Sequence, residues 1–334
     1  MFSKSGVMSA NQLSQSKGAS VRVIGEGEEI DLTTITTLKD TMKIVSKFIT
    51  TYNPQVVNTP FQGTDLKITQ DGKYLVFGST DGRIARFNRT TQALDLDAYG
   101  DDEAIWTIAF SPDDTYFYIA GEGNNIKKFK LENFEPAGIL SDHKSPVLMI
   151  LVLPNNSGLI SASKDKTVRF WDFGHKNHST TIVTHSGEVQ AIDLTNDGQY
   201  LMTGSSDKSA FVLKNEGGNW VLISTINDES EIFAVKISNK LEFVVTGNHV
   251  GTIIVWKFGT WEQMKVFQDS DKIWCIEISN NEDFMVTGGM SHNIIIWDMV
   301  EDRERIIMTG HTMPIKSLVI LNNQEEIISL SNDS

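Results

Sequence analysis

The sequence predicts an all-β fold built from similar four-stranded antiparallel sheets, and three observations support that prediction. A turn position recurs along the chain at Asp81, Gly123, Asp165, Asp207, Val250, Ser291 and Asp333. The steps between these positions are 42, 42, 42, 43, 41 and 42 residues, and a period of about 40–45 residues is that of a four-stranded repeat. Six residues after each of the first six turns comes a large apolar residue: Phe87, Phe129, Trp171, Leu213, Trp256 and Trp297.

The clearest copy of the unit runs from His143 to Asp172. Its elements in order are the alternating run VLMILVLP, the turn NNSG, the run LISAS, the turn KDK and the run TVRFWD. Alternation of apolar and polar residues over short runs is typical of half-buried strands, and the turn residues separate them. We therefore predict three strands in each unit, with a fourth strand in the linker to the next unit.

The order of these elements and the closing Trp171-Asp172 resemble the WD40 repeat family. The resemblance implies a seven-bladed WD40 β-propeller of four-stranded antiparallel blades over residues 20–334. Residues 1–19 are rich in Ser, Gln, Lys and Gly and lack periodicity, which predicts a disordered tail. The predicted repeats lie at about 61–92, 94–133, 134–177, 178–219, 220–261, 262–302 and 303–334, the last of them incomplete.

The last repeat contains only its first two strands, so the ring needs two more strands to complete it. Residues 41–60 have the alternation of strands, and we predict that N-terminal strands close the last blade, because an unpaired sheet edge is unfavourable. A second interpretation is that the chain is a fragment of a larger multi-domain WD40 protein. In that case residues 20–58 form a degenerate extra repeat.

Composition narrows the possible functions. The net charge of −14, from 29 Lys+Arg and 43 Asp+Glu, argues against a nucleic-acid partner, which would favour a basic surface. No apolar run approaches the ~18 residues of a membrane span, and the N-terminus has no secretory signal pattern. A single cysteine, Cys275, makes a reducing cytoplasmic compartment the expectation, with cytoskeletal, ciliary and nuclear locations left open.

The resemblance also implies a buried polar network. In the family, a His before the first strand, a Ser or Thr on the second strand, the turn Asp and the third-strand Trp form a hydrogen-bonded chain. The equivalent residues here are His143, Ser161, Asp165 and Trp171 in the third unit, His185, Thr203 and Asp207 in the fourth, and His311, Ser329 and Asp333 in the seventh. In the second, fifth and sixth units an Asp replaces the His and the turn residue is not Asp. Two facing carboxylates would repel each other, so this double exchange is physically consistent.

A Ser-His-Asp set of this kind also resembles a hydrolase triad. Here the set recurs in repeat register with its hydroxyl inside a strand, whereas a nucleophile must lie exposed beside a substrate cleft. We therefore predict a structural role for the network, no catalytic residues, and no metal or cofactor.

Seven equivalent positions, one in each repeat, indicate a binding surface. Seventeen residues before each turn position lie Thr64, Trp106, Leu148, Gln190, Phe233, Trp274 and Lys316. The family resemblance implies that these positions surround the channel at one end of the propeller, and we call these seven residues the top face. The residue before each turn is expected on the same surface, which adds Glu122, Lys164, His249 and Met290.

Aromatic anchors inside a polar rim concentrate the energy of protein interfaces. We predict that Trp106, Phe233 and Trp274 dock a peptide or partner loop, and the acidic loops at 101–103 and 228–231 suggest a partner with basic residues. The alternative is that these rings only pack between blades.

Two function classes follow. The first is a non-catalytic scaffold that binds other proteins within a multiprotein complex, without a small-molecule substrate. The second is a propeller enzyme of the metal-dependent hydrolase type, which needs inward carboxylates, Asn or His from several blades. The sequence favours the scaffold because its inner strands consist mostly of aliphatic and aromatic residues.

Overall fold

The computed structural model describes residues 20–22, 62–175, 178–300, 303–321 and 327–331. The predicted tail at 1–19 and the strands predicted at 41–60 lie outside these residues, as does Asp333. The described secondary structure consists of β-strands, in agreement with the predicted all-β class.

Six sheets of four consecutive antiparallel strands repeat along the chain. Within each sheet, neighbouring strands in the sequence are also neighbours in space, so that every connection is a hairpin. The strands of the first three sheets are β2 (Gly63–Ile68), β3 (Tyr74–Ser79), β4 (Arg83–Asn88), β5 (Ala93–Tyr99), β6 (Ile105–Phe110), β7 (Tyr116–Gly121), β8 (Asn125–Lys130), β9 (Pro136–Ser141), β10 (Val147–Val152), β11 (Gly158–Ser163), β12 (Thr167–Asp172) and β13 (His178–Thr184).

The fourth, fifth and sixth sheets continue the same pattern. Their strands are β14 (Val189–Leu194), β15 (Tyr200–Ser205), β16 (Ser209–Glu216), β17 (Asn219–Asn227), β18 (Ile232–Ile237), β19 (Phe243–Asn248), β20 (Thr252–Lys257), β21 (Gln263–Gln268), β22 (Ile273–Ile278), β23 (Phe284–Gly289), β24 (Ile294–Asp298) and β25 (Arg303–Thr309). A short N-terminal strand, β1 (Ser20–Arg22), pairs antiparallel with β25 and extends the sixth sheet to five strands.

The seventh sheet departs from the prediction of seven four-stranded blades. Within the described residues it consists of β26 (Ile315–Ile320) and β27 (Ile327–Ser331). The described residues therefore form six four-stranded blades and one two-stranded sheet, and the predicted blade count is not confirmed. The one N-terminal strand that the structure describes pairs with the sixth sheet, whereas the prediction assigned N-terminal strands to the seventh.

Seven apolar clusters hold the sheets side by side, each formed between one sheet and the next. The cluster between the fifth and sixth sheets, for example, buries Ile253 and Phe267 against Ile273 and Trp297. The seventh sheet contributes Leu330 to a cluster with Leu66 and other residues of the first sheet. The sheets thus form a closed β-propeller, because no single sheet can bury both of its apolar faces alone.

Complementary side-chain sizes set the spacing between neighbouring inner strands. A Cβ added at Gly247 on β19 would lie 2.7 Å from Ile273 Cγ2 on the next sheet, so only a residue without a side chain fits there. At the junction of the seventh and first sheets the sizes are exchanged. Leu330 occupies the second strand, and Gly63 on β2 lies opposite, where an added Cβ would be 2.8 Å from Leu330 Cδ1.

Candidate protein-binding face

A β-bulge positions each residue of the top face. In all seven inner strands the register shifts by one residue near the strand start, and the skipped residues are Thr64, Trp106, Leu148, Gln190, Phe233, Trp274 and Lys316. A bulge leaves one residue unpaired and redirects its side chain. The sequence period therefore identified seven equivalent bulge positions, although the bulge itself was not predicted.

Four of these bulge residues from successive sheets line one cavity of about 720 Å³. They are Trp106, Leu148, Gln190 and Phe233, which come from the second to the fifth sheets. Trp106 and Phe233 are each half-buried, so part of each ring faces the cavity. The structure brings these two predicted anchors to a shared cavity, while Trp274 lies outside the residues that line it.

A lysine from the following sheet lies over each of the three aromatic rings. The Nζ atom of Lys164 is 4.8 Å from the ring centroid of Trp106. The corresponding distances are 4.1 Å for Lys272 over Phe233 and 3.8 Å for Lys316 over Trp274. Cation–π contacts of this kind contribute roughly 0.5–2 kcal/mol each, with the larger values at desolvated sites.

The remaining predicted surface residues have different surroundings. The ring of His249 packs against that of Phe233 with centroids 5.8 Å apart, and His249 is exposed. Met290 is half-buried and its backbone N–H donates to the carbonyl of Lys272 at 3.0 Å. Glu122 is exposed, and its backbone N–H donates to the carbonyl of Ala104. Two of the three thus contact an aromatic–lysine pair, His249 through the Phe233 ring and Met290 through the backbone of Lys272.

The four members of the polar network lie together in the third sheet. His143 Nδ1 is 2.7 Å from Asp165 Oδ2, and His143 Nε2 is 2.6 Å from Ser161 Oγ. The indole Nε1–H of Trp171 donates to the same Ser161 Oγ at 2.8 Å. The Asp165 carboxylate can only accept, so Nδ1–H of His143 donates to it, and Nε2 of the neutral ring accepts the hydroxyl proton of Ser161 in a hydrogen bond. The imidazole is then neutral, with its proton on Nδ1.

Electrostatics in this network favour an ionised Asp165 beside a neutral His143. Burial lowers the pKa of His143, and Asp165 only partly offsets that effect. Burial acts to raise the pKa of Asp165, but hydrogen bonds from Thr167, Lys144 and His143 outweigh it and lower that pKa to about 2. The carboxylate accepts several hydrogen bonds, which is what stabilises its charged form.

The fourth and seventh sheets contain shorter versions of the network. In the fourth sheet His185 lies 3.1 Å from Asp207 Oδ2 and 2.7 Å from Thr203 Oγ1. Leu213 stands at the Trp position and supplies no donor. In the seventh sheet His311 Nε2 lies 2.7 Å from Ser329 Oγ, and the predicted partner Asp333 is outside the described residues.

Sheets with an Asp in place of the His use other donors. Ser291 Oγ donates to Asp269 Oδ2 at 3.1 Å in the sixth sheet. In the fifth sheet the donor is Asn248 Nδ2, at 2.8 Å from Asp228 Oδ1. A hydroxyl or amide at this place supplies the hydrogen that a second carboxylate lacks, which explains the paired exchange in the sequence.

Sequence analysis missed several features of this region. The contact of Lys272 with Phe233 was missed because Lys272 is not one of the seven bulge residues. Lys316 is one of them, but the sequence does not reveal that it lies over Trp274. A half-buried charge cluster was also missed, in which Lys236 Nζ is 3.4 Å from Asp193 and 3.2 Å from Glu277. Burial opposes the charge on Lys236, but these two carboxylates outweigh it and raise its pKa. Asp193, Lys236 and Glu277 occupy equivalent positions in three successive repeats. Their neighbours in the strands are mostly apolar, so the sequence pattern did not indicate a charge cluster.

No group of three or more His, Cys, Asp or Glu residues in the described ranges is arranged to hold a metal ion. The same part of the chain contains no helix with the length and apolarity that a membrane-spanning helix requires.

Comparison with known proteins agrees with this architecture. The family model described as "WD domain, G-beta repeat" matches residues 94–130, 134–172, 176–212 and 261–298. The transcription factor unc-37 of Caenorhabditis elegans is 21% identical over 193 residues, 57% of this chain and 31% of that protein. The E3 ubiquitin-protein ligase COP1 of Pisum sativum is 26% identical over 200 residues, 55% of this chain and 29% of that protein.

For a third relative, the match covers a larger share of the relative's length. The target of rapamycin complex subunit wat1 of Schizosaccharomyces pombe is 24% identical over 199 residues, 57% of this chain and 63% of that protein. The chain thus spans less than two thirds of the length of each of these relatives. The repeated antiparallel sheets and the family matches lead to the same conclusion: the chain belongs to the WD40 repeat family.

Proposed function

We propose that this protein is a non-catalytic scaffold that binds other proteins and docks a peptide or partner loop on its top face. One observation carries the proposal: seven equivalent bulges direct side chains to one end of the ring, and three of these side chains are partly exposed aromatic rings. Large rings that are already held in place lose little conformational freedom on binding, which makes them good anchors.

The shape of the surface supports the same proposal. The cavity beside Trp106 and Phe233 has about the volume of a binding pocket for a few side chains. Its apolar wall also includes Leu148, and its polar groups include Gln190 and Glu188, joined by a hydrogen bond of 3.1 Å. An apolar wall with a few oriented polar groups suits a short segment of a partner protein.

The buried polar network supports a structural role for its Ser-His-Asp set. Ser161 has 0% of its surface exposed, and His143 is also buried. The Ser161 hydroxyl is occupied by both Trp171 and His143, so a substrate carbonyl has no access to it. The set therefore favours stability over hydrolysis, since a nucleophile must be reachable.

The names of the relatives are compatible with a scaffold. One is a subunit of the target of rapamycin complex, one a transcription factor and one an E3 ubiquitin-protein ligase. We extend to this chain only the common element, participation in assemblies with other proteins. A cytoplasmic location, as expected from the single cysteine, is part of the same proposal.

The test is a triple variant, Trp106→Ala, Phe233→Ala and Trp274→Ala. Partners of the unaltered chain are first identified by affinity purification with mass spectrometry, and each is then measured against both proteins. Truncation of an aromatic anchor at an interface centre costs about 2 kcal/mol or more, which is ~30-fold in affinity. We expect the triple variant to lose at least that much, even if one of the three rings carries most of the binding energy.

A matched control removes apolar groups from outer strands. It combines Tyr99→Ala, Leu222→Ala and Ile223→Ala, three residues that are 68%, 47% and 40% exposed. We expect the control to retain partner binding, and circular dichroism should show both variants folded. Unchanged partner affinity in a folded aromatic variant would contradict the proposed function.

A further inference from the structure

The three aromatic anchors of the top face are covered by positive charge. Lys164, Lys272 and Lys316 each come from the sheet that follows the ring they cover, so the arrangement repeats at three junctions of the propeller. Stacking on a ring holds each ammonium group near the channel without neutralising it, because the ring supplies only a partial negative charge.

These lysines lack the carboxylate partners that some other lysines of the chain have. Among the residues that the structure describes, no carboxylate lies within 4.0 Å of any of the three ammonium groups. By contrast, Lys127 is 3.0 Å from Asp101 and Lys130 is 2.7 Å from Glu135. The three cations that cover the aromatic anchors are therefore available to pair with carboxylates of a bound partner.

Two of the lysines also affect each other. Burial lowers the pKa of Lys316, and the neighbouring charge of Lys272 lowers it further. The two cations therefore lie close enough to repel each other across the junction of the sixth and seventh sheets. A bound anion would relieve this repulsion, whereas a bound cation would increase it.

We propose that the segment bound on the top face is acidic, with carboxylates that pair with Lys164, Lys272 and Lys316 and apolar side chains that enter the cavity beside Trp106 and Phe233. This inference rests on the proposed function and specifies the chemistry of the partner. It reverses the sequence-based expectation of a basic partner, which considered only the acidic loops. Glu188 and Glu231 also line the cavity, and they restrict where carboxylates of the partner can lie and so orient the segment.

The experiment selects peptides from a random phage-displayed library on the full chain. Selected peptides are synthesised with a fluorescent label and measured by anisotropy against the unaltered chain and three variants. The first variant is the aromatic triple described above. The second is Lys164→Gln, Lys272→Gln and Lys316→Gln, which removes three charges from the top face.

The third variant is a matched control that removes three charges elsewhere. It combines Lys130→Gln, Lys214→Gln and Lys257→Gln, whose positions are equivalent to one another in the repeat and lie on the third strand of their sheets. Both lysine variants lose the same number of charges, so a long-range effect of net charge would appear in both. A local effect would appear only in the top-face variant.

We expect the selected peptides to be rich in Asp and Glu, with at least one large apolar residue. Their affinity should fall at least ~10-fold in the top-face lysine variant, remain within about twofold in the control, and weaken as salt increases. Replacing Glu by Gln in a selected peptide should reproduce the loss.

The other outcomes separate the two proposals. Peptides that depend on the aromatic residues but are basic, or that bind the top-face lysine variant unchanged, would overturn the inference and leave the proposed function intact. Failure to obtain any peptide that depends on Trp106, Phe233 and Trp274 would overturn both.

Discussion

The contact between Gly63 and Leu330 tests whether the seventh sheet packs against the first and closes the ring. A Cβ at position 63 would lie 2.8, 3.1 and 3.3 Å from Leu330 Cδ1, Cδ2 and Cγ. The whole end of the Leu side chain would therefore have to move. Leu330 is 7% exposed and packs in the cluster with Leu66, Phe77 and Phe87, so little space is free for that movement.

The expected magnitudes follow from overpacking and cavity formation. Gly63→Val should cost about 1–3 kcal/mol of unfolding free energy because it overfills a packed junction. Leu330→Ala should cost about 2–5 kcal/mol because it removes buried methyl groups and leaves a cavity. In the double variant the Val methyl groups occupy space that Leu330 vacated, so we expect the combined cost to be smaller than the sum by at least ~1 kcal/mol.

Urea unfolding followed by tryptophan fluorescence measures all four proteins of this cycle. The intrinsic strand preference of Val over Gly appears in both backgrounds and cancels in the interaction energy. A second cycle, Gly63→Val with Leu222→Ala, serves as a control, because Leu222 is 47% exposed on an outer strand of the fourth sheet. Residues that do not touch give additive changes to within about 0.5 kcal/mol. Additivity of that kind for Gly63 and Leu330 would show that these residues do not meet, and would refute ring closure at this junction.

Two further predictions concern the polar network. Asp165→Ala should lower the unfolding free energy by about 1–3 kcal/mol, because it leaves the buried His143 N–H unpaired. The control is Asp81→Ala, at the same repeat position but with a side chain that is 51% exposed, and it should cost less. An equal loss of unfolding free energy in the two variants would contradict this prediction. Burial lowers the pKa of His143 and His185 below 6.5, so the unfolded chain binds protons first as the pH falls. The stability present above pH 6.5 should therefore decrease below that pH. Urea midpoints on either side of that pH measure this, and His143→Gln with His185→Gln should reduce the difference.

The repeat period predicted most of the strand pattern. The run TVRFWD corresponds to β12 at Thr167–Asp172, and the run LISAS lies within β11 at Gly158–Ser163. The prediction succeeds here because turn residues separate the short apolar runs, and short hairpins keep successive strands adjacent. The same regularity placed the equivalent position of every inner strand at one end of the ring.

The seventh sheet shows where a count of repeats fails. A period states how often a unit recurs, but it does not state which distant segment completes a sheet. The described structure contains two strands at this place, and the short strand β1 pairs with the sixth sheet. Strand pairing between remote segments depends on the position of the free edges in space, which local alternation does not encode.

The lysines that cover the aromatic anchors were missed for a related reason. Acidic loops are visible as continuous runs in the sequence, whereas Trp274 and Lys316 are separated by a full repeat and meet because they lie on adjacent sheets. Phe233 and Lys272 are separated by almost a full repeat and meet in the same way. A lysine at these positions looks like any solvated cation until the packing of the sheets is known.

By itself the sequence determined the all-β class, the length of the repeating unit and the strands within it, because these depend on short-range alternation and on identical spacing. The resemblance to the WD40 repeat family added the residues of the polar network. Tertiary structure alone decided the number of complete sheets, the exchange of sizes between Gly63 and Leu330, and the lysines that cover the three rings. Those features arise between sheets, where the distance and angle of packing select which side chains touch, and residues far apart in the chain become neighbours.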